Sequence, residues 1–117
     1  MTIKNMTQNN ILALNVVLAD TFLTRLKGLL ATKQLETGKG LVIRPCSSIH
    51  TVGMNYDIDV VFVGSDDNVL KVVSNMPANR IALCRKSSYV IELPAGTIEA
   101  TGTNVGDKIS LICDSKI

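Results

Sequence analysis

Between Cys46 and Asp59 the chain gathers many of the side chains that could do chemistry: Cys46, Ser47, Ser48, His50, Thr51, Asp57 and Asp59. His50 is the one histidine. An imidazole near neutral pH can serve as general base to a thiol or hydroxyl, which makes Cys46 the candidate nucleophile of a small hydrolase or transferase. Against that reading, free cysteines are commonly small buried residues, and Cys–His catalytic pairs are assembled from distant segments. His50 then becomes a loop imidazole bonded to a carbonyl or carboxylate. Cys46 and His50 could also share a metal with Asp57, Asp59 or Glu92, but the spacing carries no metal-site signature. No metal and no cofactor is therefore expected.

Asp59 interrupts an apolar stretch, Ile58-Asp59-Val60-Val61-Phe62-Val63, and Glu92 does the same in Val90-Ile91-Glu92-Leu93. A carboxylate in such a strand either faces water or must be paired, because an unpaired buried charge is expensive. Arg25 is the candidate partner for both. The set is either a structural network or the polar floor of a cleft. The leading reading is a non-catalytic binding or interaction domain with a groove lined by Arg25, His50, Thr51, Met54, Asp59 and Glu92. Its expected ligand is a small polar molecule or a peptide. A structural accessory subunit that pairs through a sheet edge is a further alternative.

These side chains must be positioned by the surrounding elements. Residues 11–19 are rich in β-formers without clean alternation, as in a strand buried on both faces, with a shorter strand near Ile3 to Thr7. Asp20 is a candidate N-cap for a helix over Thr21 to Leu30, where Phe22, Leu26, Leu29 and Leu30 recur at helical spacing. Leu41 to Ile43 predicts a short strand ended by Pro45, followed by a loop or irregular strand. Ile58 to Val63, the polar turn Ser65 to Asn68 and Val69 to Val73 predict an antiparallel hairpin. Tyr89 to Leu93 predicts a strand, Pro94-Ala95-Gly96 leads to a helical turn around Thr97 to Ala100, and Lys108 to Cys113 closes as a strand. The expected fold class is α+β. It is a mainly antiparallel curled sheet or partial β-barrel, with one principal helix packed on it and a short second helix.

Composition narrows the function classes. A chain of 117 residues that is 46% hydrophobic suits one domain, spanning residues 1–117, with an aliphatic core. With two Phe, two Tyr and no Trp, it offers little for stacking on bases or sugars. A net charge of +2, its densest cluster being Arg80, Arg85 and Lys86, is too small to track a phosphate backbone, so no nucleic-acid partner is expected. The apolar runs around Asn15 fall short of the ~20 residues of a membrane span, and the first residues lack a signal-peptide pattern. A cytoplasmic location follows as an expectation. Cys46, Cys84 and Cys113 form no CxxC pair, which points to reduced thiols.

Five motifs occur in an order that resembles the domain of unknown function 192 family. They are Arg25-Leu26-Lys27-Gly28-Leu29-Leu30, Ile49-His50-Thr51-Val52-Gly53-Met54, Ile58 to Val63, Leu93-Pro94-Ala95-Gly96 and Gly106-Asp107. The resemblance covers residues 11–113. It implies a compact β-rich domain with a helix across it and no established activity. Many relatives carry an aromatic and a lysine, roughly Phe-Trp-Met-Lys-Asn-Thr, where this chain has Ile49 to Met54. A role tied to that version does not transfer, nor does the exported location implied for relatives that have a leader.

Overall fold

A computed structural model describes residues 1–19 and 35–113. The helix expected over Thr21 to Leu30, and with it Arg25, lies outside the described residues. The described part is mostly β, with one short helix. The strands are β1 (Thr2–Asn5), β2 (Asn10–Ala13), β3 (Asn15–Ala19), β4 (Lys39–Ile43), β5 (Ser48–His50), β6 (Ile58–Val63), β7 (Val69–Met76), β8 (Ile81–Leu83), β9 (Tyr89–Pro94) and β10 (Ile109–Ile112). The helix, α1, spans Thr97–Thr101. The strands form an open three-stranded sheet in the order β10-β1-β2, a five-stranded sheet in the order β3-β4-β9-β6-β7, and a two-stranded ribbon of β5 and β8. No barrel closes among them, and no helix among the described residues is long and apolar enough to cross a membrane.

The five-stranded sheet is the middle layer. Every residue of β6 is buried, which accounts for its near-continuous apolar run. Val42, Val61, Val63, Ile91 and Leu93 face one side, where they pack against Ile3, Leu12 and Ile109 of the three-stranded sheet and Ile98 of α1. Leu41, Ile43, Val60, Phe62 and Val90 face the other side and pack against Ile49 and Ala82 of the ribbon, together with Met54 and Met76. At about 25 cal/mol per Å² of buried apolar area, these two faces are the main source of stability.

One expectation needs correction, and one pairing adds to the mainly antiparallel arrangement. Residues 11–19 form two strands rather than one, because the chain changes layers at Leu14 and Asn15. The amides of both residues donate to the Gly38 carbonyl, at 2.9 and 3.1 Å. No Gly or Pro marks the break, so the aliphatic run conceals it. In addition, β3 pairs with β4 in parallel, from Asn15 opposite Lys39 to Ala19 opposite Ile43, which makes the sheet mixed. Such a pairing needs a long crossover, and residues 20–38 supply the length.

The β6/β7 hairpin stands where the polar turn places it. Gly64 N–H donates to Asn68 O, and Asp67 occupies the left-handed region at φ 66°. At the other end of the chain, Asp107 Oδ2 accepts from Asn5 Nδ2, Gln8 Nε2 and the Asn104 amide. This buried carboxylate ties the β1/β2 turn to the start of β10. Burial opposes its ionisation, but the bonds from Asn5, Asn104 and Gln8 outweigh that and hold its pKa below the usual aspartate value.

Candidate functional site

Asp59 is wholly buried, and both of its oxygens are occupied. Oδ1 accepts from the Asn75 amide on β7 and Oδ2 from the Ile98 amide at the start of α1, each at 2.8 Å. These bonds join two elements that the sheet alone would not connect. Around Asp59 the β6/β7 register shifts, and Asn75 takes a positive φ of 51°. The carboxylate thus stabilises a bulge that bends the end of β7. The helix it caps begins after Gly96, whose φ of 95° an L side chain rarely adopts.

Glu92 is not beside Asp59. Asp59 stands opposite Leu93, while Glu92 stands between Leu41 and Val60. Directly opposed residues share a face, so the two carboxylates project from opposite sides of the sheet. Glu92 is 5% exposed and its Oε2 has no hydrogen-bond partner among the described residues. Burial in this apolar layer pushes its pKa up from 4.5 to about 7.

Thr51 is also wholly buried, and its hydroxyl joins two loops. Oγ1 donates to Pro77 O at 2.6 Å and accepts from the Arg80 amide at 2.9 Å. The Thr51 backbone adds bonds from its N–H to Arg80 O and from Asn79 N–H to its carbonyl. Met54 is buried in the layer between sheet and ribbon. His50 is exposed on the outer face of the ribbon, opposite Ile81. The Cys46 thiol donates to Ser48 O at 3.0 Å. Among the described residues, no group of three or more His, Cys, Asp or Glu side chains is placed to hold a metal ion.

The structure brings Thr51 and Asp59 to the supports of one groove. A depression of about 550 Å³ lies where the ribbon overhangs β7, lined by Lys71, Val73, Met76, Arg80, Ile81 and Leu83. Thr51 fixes its Pro77–Arg80 end, and Asp59 fixes Asn75, next to Met76. Ile81 and Leu83 are 71% and 63% exposed, whereas Ala82 between them points into the core. Toward β5, Arg80 O accepts from Thr51 N–H and Cys84 N–H donates to Ser47 O. By strand alternation, the N–H and C=O groups of Ile81 and Leu83 therefore face away from β5, into the groove. Lys71 Nζ donates to Leu83 O at 2.9 Å and sits 5.9 Å from the centre of the Phe62 ring. Sequence reasoning passed over Lys71, Ile81 and Leu83. The lysine in Val69-Leu70-Lys71-Val72-Val73 was the available signal, since lysines mark edge strands.

The family model for domain of unknown function 192, described as "Uncharacterized ACR", matches residues 3–111. The chain belongs to this family. The DUF192 chain is 32% identical over 108 residues to the UPF0127 protein PF1050 of Pyrococcus furiosus, covering 90% of this chain and 93% of that one. It is 34% identical over 97 residues to the UPF0127 protein PH1112 of Pyrococcus horikoshii, covering 80% and 84% respectively. A crystal structure of a protein of unknown function from Novosphingobium aromaticivorans superposes with a TM-score of 0.79 at 21% identity, covering 94% of the DUF192 chain and 82% of the other. That likeness extends the fold. The family is uncharacterised, so any function has to be argued from the site.

Proposed function

We propose that this protein is a non-catalytic binding domain that takes a polypeptide segment in extended conformation along β8. The observation that carries this reading is the groove itself, in which the outward backbone of Ile81 and Leu83 adjoins their exposed side chains and an apolar floor of Val73 and Met76. Strand addition at such an edge draws affinity from main-chain hydrogen bonds and specificity from alternate side-chain pockets. His50, beside Ile81, contributes at the rim. Thr51 and Asp59 act as positioning residues, and Met54 and Glu92 shape the layer beneath. We read residues 1–117 as one domain, supported by the two apolar layers that share one sheet. The register shifts of the β6/β7 pair support a curl in that sheet, because bulges add twist.

The test is selection of binders from a random-peptide library, followed by amide NMR. Enriched peptides should shift the Ile81 and Leu83 amides and bind Leu83→Pro weakly. Proline at that position deletes only an outward donor and leaves the β5 ladder intact. A parallel Ile81→Ser variant removes apolar contact without touching the backbone. Peptides that bind Leu83→Pro and Ile81→Ser as well as wild type, with a folded spectrum for each variant, would overturn the reading.

A further inference from the structure

We infer that the occupant of this groove is an acidic extended segment, and that Lys71 is an exchangeable cap which such a segment displaces. This rests on the peptide-binding reading above. Among the described residues, the charged side chains lining the groove are Lys71 and Arg80, and no carboxylate lines it. The two cations stand at opposite ends of β8, with Lys71 bonded to Leu83 O and Arg80 preceding Ile81. Along a strand that rises ~3.3 Å per residue, they are separated by roughly 10 Å. Carboxylates at alternate positions of an added strand would fall between them, and the long side chains of Lys and Arg can reach either.

Lys71 Nζ occupies the Leu83 carbonyl, an acceptor that an added strand needs. A lysine placed in this way protects an open edge from indiscriminate pairing. An incoming backbone N–H that takes this carbonyl releases the ammonium, and a carboxylate on the same segment gives the ammonium a stronger, charge-assisted partner. A neutral segment leaves the ammonium with only water in exchange for the lost bond. The cap thus selects for acidic occupants.

Three capped seven-residue peptides test this. One alternates Val with Glu, one Val with Gln and one Val with Lys, each titrated calorimetrically and by amide NMR at low and at moderate salt. The Glu peptide should bind about tenfold or more tightly than the Gln peptide, and the Lys peptide least, with the preference shrinking as salt rises. Lys71→Met should reduce the Glu-over-Gln preference to a few-fold while the Gln peptide binds as well as before or better. Lys86→Met, an equal loss of charge at an exposed position outside the groove lining, should leave the preference unchanged. Equal binding of the Glu and Gln peptides at β8 overturns the acidic occupant but leaves the peptide reading standing. Failure of all three to shift the Ile81 and Leu83 amides removes both readings. Concentration-dependent dimerisation of Lys71→Met through β8 replaces the acidic segment with a second copy of the chain.

Discussion

Replacing Glu92 with Gln should remove a specific pH dependence from the stability of this protein. In the folded state the carboxyl lies in an apolar layer with Oε2 unpartnered among the described residues, and burial raises its pKa from 4.5 to about 7. Between those values the unfolded chain releases this proton while the folded chain keeps it. Folding stability from this group is thus fully present below about pH 4.5, falls as pH rises, and levels off above about pH 7. At about 1.4 kcal/mol per decade, the loss comes to about 3 kcal/mol, a large fraction of a typical 5–15 kcal/mol. The assay is urea unfolding of wild type and Glu92→Gln from pH 4 to pH 8.5. The two should have similar stability at the acid end, and the variant should be the more stable by about 3 kcal/mol at the alkaline end. Asp107 does not confuse the comparison. Its pKa is depressed, so its contribution is present above its unfolded value of 3.8 and disappears only as pH falls further. A difference between the two proteins that stays constant across the range would refute the reasoning.

Three further substitutions probe the supports of the fold and groove. Thr51→Val removes the hydroxyl that joins Pro77 O to the Arg80 amide, and should lower unfolding free energy by about 1–3 kcal/mol in urea titrations while shifting the amide resonances of residues 77–80. Asp59→Asn turns one acceptor into a donor facing a backbone N–H. It should cost about 2–3 kcal/mol and speed hydrogen exchange at both Asn75 and Ile98, whereas a change at only one would mean that the two bonds are not coupled through this side chain. Asp107→Ala deletes three hydrogen bonds at once and should cost about 2 kcal/mol, with exchange rising in β1 and β10 before the five-stranded sheet.

The β6/β7 hairpin was legible because local chemistry defines it: two β-branched runs flank a turn of Asp and Asn, and neither depends on a distant partner. Tyr89 to Leu93 was legible as a strand for the same reason. Which face Glu92 presents was not legible, because it depends on the register of β9 against β6, and a slip of one residue would exchange the two sides. Asp59 and Glu92 therefore look like neighbours in a list of polar interruptions, yet the pairing of Asp59 with Leu93 puts a sheet between them. β8 escaped notice because three residues, Ile81 to Leu83, show too little alternation to mark a strand. The pairing of His50 with Ile81 links segments thirty-one positions apart, and no local signal announces it.

The complete burial of β6 also matters before the protein has folded. Val60-Val61-Phe62-Val63 is the kind of short apolar run that stacks into cross-β fibrils when many unfolded chains meet. Asp57 and Asp59 stand on one side of it, and Asp66 and Asp67 lie a few residues beyond the other. In an unfolded chain these carboxylates are hydrated full charges, and identical strands stacked in register would bring like charges within about 5 Å of one another. The Asp59 carboxylate that later receives two amides thus first opposes aggregation, guarding the nascent strand until the sheets on either side can cover it.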